Sequence, residues 1–257
     1  MNARGNVTAL YTIVRREVAR ILRIWTQTLL PPAITMTLYF VIFGSLIGSR
    51  IGEMHGYRYI DYIVPGLIMM SVIQNAYGNI SSSFFGAKFQ RFVEEMLVSP
   101  TPNWVLLLGY VAGGVLRGLI VGVIVLIVSM FFTEIHLAHP LVTLSTFVLA
   151  AAVFALAGFV NAIFAKKFDD VALVPTFVLT PLTYLGGVFY SVDLLPPFWR
   201  AVSHANPILY MVNAFRYGIL GVSDVDLGLA YGVMLGAAVV LGVFAMVLLK
   251  RGVGLRA

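Results

Sequence analysis

The chain has 257 residues, of which 60% are hydrophobic and 11% are charged, and its mean hydropathy is +0.94. Soluble domains carry about a quarter charged residues, so this composition excludes a water-soluble fold and indicates a membrane protein. The net charge of +6 comes from too few residues to build a continuous basic face, so we expect no nucleic-acid partner. The absence of cysteine excludes disulfides, thiolate metal sites and cysteine nucleophiles.

Long gaps between charged residues predict six membrane spans. A helix needs about 20 apolar residues to cross a bilayer, and charges are costly inside it. Five of the gaps hold no charge, and the third span holds one, Arg117. The predicted spans are residues 28–47, 62–85, 104–132, 140–165, 171–190 and 227–249. We therefore expect residues 1–257 to form one all-α polytopic membrane domain.

The distribution of basic residues predicts the orientation. Of the 17 Lys and Arg residues, twelve fall on one side of this topology and four on the other, with Arg117 between them. Because Lys and Arg resist translocation, both termini are expected in the cytoplasm. The first apolar stretch is long enough to span and has no small-residue cleavage site after it, so we expect no cleaved signal peptide.

Residues 7–25 have apolar side chains at alternating intervals of three and four, which places them on one face of a helix. Arg15, Arg16 and Arg20 lie off that face. The pattern predicts a helix along the cytoplasmic membrane surface, with these arginines reaching towards lipid headgroups or a partner protein. A simple anchor on anionic lipid is the alternative interpretation.

The second span has one polar face. Its members recur at intervals of four, three and four and are bordered by further amides: Ser71, Asn75, Gly78 and Ser82, with Gln74 and Asn79 beside them. Such a face is too polar for lipid. It either hydrogen-bonds neighbouring helices or lines a path for a polar part of a substrate.

Residues 86–99, between the second and third spans, are predicted to form a short amphipathic helix that Pro100 and Pro102 terminate. The apolar stripe and the charged stripe are Phe85, Phe89, Phe92 and Met96, and Lys88, Arg91 and Glu95. This helix is either a solvated turn or a docking element for a partner.

Arg117 lies near the middle of the third span, with no acidic residue in that span to pair with it. It has either a transport role or a structural one. In the same span Gly114, Gly118 and Gly122 form a row of small residues that permits close helix approach, within or between protomers.

Pro175 and Pro181 weaken the helix of the fifth span and predict a kink, which is either a moving gate or a packing adaptation. Thr180 and Tyr184 add polar groups there. The apolar segment 194–220 that follows is interrupted by proline and lies on the outer side, so we expect one or two helices that re-enter the protein without crossing the membrane.

Several kinds of chemistry lack a motif in this sequence. It contains no phosphate-binding G-x-x-x-x-G-K-[ST] loop, so ATP hydrolysis by that route is not expected. Ser203 and His204 are adjacent and would not face each other on a helix. Glu134, His136 and His139 are interpreted as interfacial side chains, so no metal site is expected.

The order of these features resembles the permease subunit of the ABC-2 family of bacterial ABC exporters. The motifs that carry the resemblance are FVEEMLVSP at residues 92–100 and GGVFYSVDLLPPFW at residues 186–199, followed by Asn206-Pro207. The resemblance covers essentially the whole chain, although Arg117 belongs to no motif of the family.

The resemblance implies that residues 86–99 are the coupling helix, which enters a groove in a separate ATPase subunit. The residues that would receive the ATP-driven motion are Lys88, Arg91, Phe92, Glu94, Glu95 and Met96. Residues 7–25 would be the connecting helix against the same partner, and residues 194–220 paired re-entrant helices that close the outer end.

The family also implies an assembly of two permeases and two ATPases, with the route between the permeases. ATP and Mg²⁺ would bind to the ATPase, and no cofactor to this chain. The implied cargo is amphipathic, such as a lipid-linked saccharide, a lipid or a drug. It would be moved outwards across the bacterial inner membrane, where the permease would contact membrane lipids.

Three hypotheses follow. The first is half of an ATP-driven exporter, in which polar residues of spans two and five contact the cargo: Gln74, Asn75, Asn79, Thr180 and Tyr184. The second is an intramembrane enzyme, which requires Ser203 and His204, or Glu134 and the two histidines beside it, to converge. The third is a passive channel or a structural membrane subunit.

Overall fold

The computed structural model describes residues 3–254, so Arg256, which the sequence places in a cytoplasmic tail, lies outside the described residues. The helices are α1 (Ala3–Arg23), α2 (Trp25–Thr28), α3 (Leu30–Tyr39), α4 (Gly48–Ile51), α5 (Tyr59–Phe89), α6 (Phe92–Val98), α7 (Asn103–Ser129), α8 (Pro140–Phe164), α9 (Phe168–Val174), α10 (Thr180–Leu185), α11 (Pro197–His204), α12 (Pro207–Leu220) and α13 (Leu227–Arg251). Two π-helical segments, Phe40–Ile47 and Pro175–Leu179, and a 3-10 turn, Val192–Leu194, complete the helical structure.

Within the described residues, five helical stretches are long and apolar enough to cross a membrane. They are Trp25–Ile51, Asn103–Ser129, Pro140–Phe164, Phe168–Leu185 and Leu227–Arg251, and each overlaps a predicted span. The chain is therefore a mostly helical membrane protein with several spans, as its composition predicts.

Helix α5 occupies the remaining predicted span, 62–85, and differs from the other five. It is 31 residues long, and most of its side chains are buried, mainly against α7 and α8. A helix that neighbouring helices cover can carry polar residues that lipid would exclude. This position explains why α5 combines the length of a span with a lower hydropathy.

A row of glycines brings α7 against α5. A Cβ atom at Gly114 would lie 2.6 Å from Ile80, and one at Gly118 would lie 3.0 Å from Ala76. These distances leave no room for a larger side chain, so the close approach allowed by the glycine row occurs within one protomer.

The fifth predicted span, 171–190, is shorter and less regular than expected. Its helix ends at Leu185, and the chain then turns through Gly187 at φ +70°. The weakened segment is the π-helical turn Pro175–Leu179, where Pro175 has no N–H to donate. The Thr180 hydroxyl donates to the Pro175 carbonyl at 2.9 Å, so this hydroxyl is bonded to the backbone of its own span.

One small element is not helical. Glu53–Met54 and Tyr57–Arg58 pair as a short antiparallel hairpin in the loop after the first span. His55 and Gly56 both have positive φ, which is the backbone of the tight turn that joins two twisted strands. The hairpin is small because the neighbouring helices supply most of the structure at this end.

The two ends of the bundle differ. The C-terminal parts of α5, α8 and α13 share one apolar cluster that contains Phe85, Ile163 and Leu249, and we call this the inner end. The hairpin, α11 and α12 lie at the opposite, outer end, where the Tyr57 hydroxyl donates to the Leu220 carbonyl at 2.7 Å. The C-terminus of α13 and the loop after α5 therefore share one end, as the predicted topology requires.

Helix α12, the longer helix of segment 194–220, is almost entirely buried. Its Arg216 belongs to the segment predicted to re-enter the protein from the outer side, and its side chain is fully buried. The guanidinium lies 4.0 Å from the Tyr62 ring centre and donates to the Gly187 carbonyl at 2.6 Å and to Asn213 Oδ1 at 3.3 Å. These contacts offset the cost of burying the charge and fix α12 against α5.

Candidate functional site

The loop between α5 and α7 is the first part of the candidate site. The sequence predicts one helix over residues 86–99, but the structure divides it, because α5 continues to Phe89 and α6 begins at Phe92. Arg91 makes the turn in the left-handed region, at φ +64°. Residues other than glycine rarely adopt this conformation, so the surrounding structure must hold Arg91 in the turn between α5 and α6.

Helix α6 has a buried side and an exposed side. Val93 is buried in the apolar cluster of the inner end, and Glu94 and Met96 are half-buried beside it. Three exposed side chains recur every third residue, and with the preceding Arg91 they form what we call the docking surface: Arg91, Phe92, Glu95 and Val98. Phe92 is 49% and Val98 88% exposed, so apolar surface lies open here beside charged groups.

Lys88 does not belong to the docking surface, although the resemblance implies that it does. Its ammonium donates hydrogen bonds to the carbonyls of Ile163 and Ala165 at the end of α8. Helix ends leave such carbonyls unpaired, so Lys88 caps α8. Burial lowers the pKa of the Lys88 ammonium, and the charge of Asp170 acts in the opposite direction.

The N-terminal helix α1 packs along α7 and reaches α5 through the Arg20–Asn79 and Ser83–Glu17 hydrogen bonds. A Cβ atom at Gly109 would lie 2.6 Å from Ile13, and one at Gly113 would lie 2.7 Å from Glu17. The two glycines allow α1 to lie directly on α7. Part of the apolar face of α1 therefore packs against α7, and the rest stays exposed.

The arginines of α1 do not all point outwards. Arg15 is exposed, but Arg16 donates to the Tyr110 hydroxyl at 2.5 Å and Arg20 donates to Asn79 Oδ1 at 2.7 Å. Arg16 remains 47% exposed and Arg20 only 28%. Arg20 therefore points largely into the protein, where it binds Glu17 and Asn79, and stays partly exposed.

Glu17 is a residue of the site that the sequence analysis missed. Its carboxylate is 1% exposed and accepts hydrogen bonds from Arg20 at 3.0 Å and from Ser83 at 2.7 and 2.8 Å. An acidic residue three positions before an arginine, in an otherwise basic helix, was the available signal. Glu17 and Arg20 together join α1 to α5.

Arg117 finds its partner on α5. Its Nη2 donates to Asn75 Oδ1 at 3.2 Å, and the Asn75 amide in turn donates to the Ser71 carbonyl at 3.0 Å. Asn75 is 8% exposed and Asn79 is fully buried. Two of the five predicted route residues are therefore engaged with arginines inside the protomer.

The other polar face of α5 is open. Gln74 and Gly78 are half-buried and Ser82 is exposed, and these residues are four apart. A Cβ atom at Gly78 would meet nothing within 4 Å. We call this row, Gln74, Gly78 and Ser82, the polar groove.

Tyr184 connects the first and fifth spans. It is 43% exposed, its hydroxyl lies 3.5 Å from that of Tyr39, and its ring stacks 5.7 Å from that of Phe189. These contacts place the outer halves of the two spans side by side. Of the predicted route residues, Gln74, Thr180 and Tyr184 thus keep part of their surface exposed.

The groups required for an intramembrane enzyme do not converge. Ser203 is fully buried, whereas the neighbouring His204 is exposed. His139 stacks on Tyr217, with ring centres 4.7 Å apart. In the part of the chain from residue 3 to residue 254, no group of three His, Asp or Glu residues could hold a metal ion.

A bundle of apolar spans around a long buried helix defines an integral membrane protein. Residues 8–220 match the family model described as ABC-2 type transporter, and the chain belongs to that family. It is 59% identical over 248 residues to the inner membrane transport permease YadH of Escherichia coli K12, which covers 96% of this chain and 97% of that protein.

More distant relatives show the same family. Nodulation protein J of Rhizobium leguminosarum bv. viciae is 25% identical over 215 residues, which is 83% of each chain. Its counterpart in Rhizobium meliloti strain 1021 is 23% identical over the same number of residues. The chain is accordingly a transmembrane transport subunit and a multi-pass protein of the inner membrane.

Proposed function

We propose that this chain is the permease half of an ATP-driven exporter and that its docking surface binds a separate ATPase subunit. The observation that carries the proposal is the exposed side of α6, where Phe92 and Val98 present apolar surface beside Arg91 and Glu95. Exposed apolar side chains rimmed by charges are typical of a protein interface. The inner end then faces the cytoplasm, where ATP is available.

Motion of an ATPase would reach the membrane-spanning helices through three connections. The turn at Arg91 links α6 directly to α5, and the Lys88 cap links α5 to α8. Helix α1 would act as the connecting helix, since Glu17 and Arg20 bind Ser83 and Asn79 of α5. ATP and Mg²⁺ bind to the partner in this scheme, and α5 moves as a rigid lever.

A second copy of the chain would cover the least buried spans. In the most apolar stretches of Trp25–Ile51 and Phe168–Leu185, only 12% and 11% of the residues are buried. Tyr39 and Tyr184 hold these two spans together. A homodimer that meets along them, with one ATPase for each permease, would enclose a central route.

The polar groove supports this route. Gln74, Gly78 and Ser82 offer polar and open surface on a helix that is otherwise buried. Polar surface beside apolar spans suits an amphipathic cargo such as a lipid-linked saccharide, a lipid or a drug. At the outer end, α11 and α12 would form the closure, which the buried Arg216 holds in place.

Co-purification with the ATPase tests the proposal. We expect Phe92→Ser and Glu95→Arg each to weaken association with an ATPase subunit by about tenfold, because both remove contacts from the docking surface. Phe131→Ser is the matched control, since Phe131 is 81% exposed just after the far end of α7.

Binding that is unchanged in Phe92→Ser and Glu95→Arg would contradict the docking surface. If no ATPase binds the unaltered chain, the exporter itself is contradicted, and a passive channel or a structural subunit becomes the better interpretation. Wild-type elution in detergent confirms that each variant folds.

A further inference from the structure

A basic cluster lies between α1, α5 and α7, outside the docking surface and the polar groove. Its members are Arg20, Asn75, Asn79 and Arg117, with Glu17 as its acidic neighbour. Asn79 is ten residues before the end of α5, which is about 15 Å along a helix. The cluster therefore lies inside the bundle, about 15 Å from the inner end of α5.

Hydrogen-bond donors outnumber acceptors in this cluster. Arg20 Nε, Asn79 Nδ2 and Arg117 Nε are buried and have no acceptor among residues 3–254. They lie on three helices that meet here, and Asn79 is fully buried. Leaving three buried donors unpaired is unfavourable, so the cluster is suited to a ligand that brings several acceptors.

The charges point to the same kind of ligand. The cluster contains the guanidiniums of Arg20 and Arg117, and the carboxylate of Glu17 is already engaged by Arg20 and Ser83. Arg117 is paired only with the neutral amide of Asn75. One positive charge is therefore uncompensated among the described groups, and Arg16, 3.7 Å from the Glu17 carboxylate at the half-exposed rim, adds a guanidinium that shares this one acidic partner.

We propose that this cluster binds a phosphate group. A phosphate carries negative charge and several acceptor oxygens, and it matches planar guanidinium donors better than a single carbonyl does. Arg20 is 28% exposed, which gives the phosphate an approach from the side of α1. The phosphate would belong to the headgroup of an amphiphile or to free phosphate.

Where the phosphate belongs to the cargo, this inference rests on the proposed function and narrows the cargo to an anionic amphiphile. Binding itself needs neither the ATPase nor transport. It can therefore be measured on the isolated permease, and its failure is distinguishable from a failure of ATPase docking.

The test measures equilibrium binding of radiolabelled dodecyl phosphate to the permease in phosphatidylcholine nanodiscs, with empty nanodiscs subtracted. Dodecyl trimethylammonium has the same chain and the opposite charge, and inorganic phosphate has no chain. We expect dodecyl phosphate to bind, and Arg117→Gln and Asn79→Asp each to raise its Kd by about tenfold or more, because a charge-assisted hydrogen bond is lost or a negative charge is added.

Two variants control for charge and for folding. Arg23→Gln removes the same charge from an exposed position of α1 and should leave the Kd within about twofold, while Arg117→Lys keeps the charge and should restore most of the binding. Binding of inorganic phosphate with the same dependence on Arg117 would support the site and identify free phosphate as its ligand. Equal binding of both dodecyl amphiphiles, or an unchanged Kd in well-folded Arg117→Gln and Asn79→Asp, would overturn the proposal.

Discussion

The Nζ atom of Lys88 donates a hydrogen bond to the carbonyl of Ala165 at 2.7 Å and so ties the end of α5 to the end of α8. The two residues are 77 positions apart in the sequence. This bond makes Lys88 a cap for α8, whereas the neighbouring Phe92 is left open on the docking surface. Adjacent parts of one loop therefore differ in role.

Replacing Lys88 with methionine tests the cap. Lys88→Met keeps the length of the side chain but leaves the carbonyls at the end of α8 unpaired, and we expect it to lower the free energy of unfolding by about 1–3 kcal/mol. Unfolding in mixed micelles, followed by circular dichroism, measures this change. Lys166→Met is the control, because Lys166 is exposed nearby, and an equal effect of both substitutions would refute the cap.

Arg216 anchors the outer end of the molecule. Arg216→Met removes the ring contact with Tyr62 and leaves the Gly187 carbonyl without its donor, so we expect a loss of about 2–4 kcal/mol in the free energy of unfolding. The same unfolding assay applies. Arg50→Met should change little, since Arg50 is exposed at the same end. A stability of Arg216→Met equal to that of Arg50→Met would show that the buried guanidinium is not an anchor.

Asn75 and Arg117 should be energetically coupled. Asn75→Leu leaves the Arg117 guanidinium without its hydrogen-bond acceptor, and we expect it to cost about 1–2 kcal/mol more in the wild-type chain than in Arg117→Leu. A double-mutant cycle of unfolding free energies measures this difference. Additive effects of the two substitutions would mean that the bond contributes nothing to stability.

The polar groove should be reached by water. The chain has no cysteine, so single cysteines can be introduced without background. We expect a water-soluble, membrane-impermeant thiol reagent to label Gly78→Cys and Ser82→Cys. A Cβ atom at Gly78 has nothing within 4 Å, and Ser82 is exposed in the single protomer. Gly236→Cys is the control on α13, where the glycine also has nothing within 4 Å but belongs to an apolar span. Labelling of Gly236→Cys alone would contradict an aqueous route along α5.

The proposed homodimer makes a prediction about cross-linking. Phe177 is 72% exposed in the fifth span and Val240 is 66% exposed on α13. If two copies meet along the first and fifth spans, oxidation should cross-link Phe177→Cys into dimers in membranes and leave Val240→Cys monomeric. Cross-linking of Val240→Cys alone would move the contact between protomers to α13.

Patterns of composition and spacing predicted much of the fold. Long stretches with at most one charge predicted five spans that the structure shows as apolar helices, because the cost of burying charge in lipid acts on any sequence. The proline positions predicted the irregular backbone at Pro175, and the spacing of Gly114 and Gly118 predicted a close helix contact. These features depend on each residue's own chemistry and on its near neighbours in the chain.

Side-chain partners at long range were not accessible in this way. The sequence marked Arg117 as unusual without a partner, gave Arg216 no partner within the re-entrant segment and passed over Glu17. In the structure each of the three has partners distant in sequence, such as Asn75, Tyr62 and Ser83. The sequence likewise did not show which faces of α5 contact arginines and which stay exposed.

The amino-acid sequence by itself therefore determined that this is a helical membrane protein of several spans, with an amphipathic segment after the second. Only the tertiary structure decided that Lys88 turns inwards, that Phe92 turns outwards and that Asn79 meets Arg20. The physical reason is that a helical period defines which residues share a face. The packing of helices far apart in the chain defines what that face contacts.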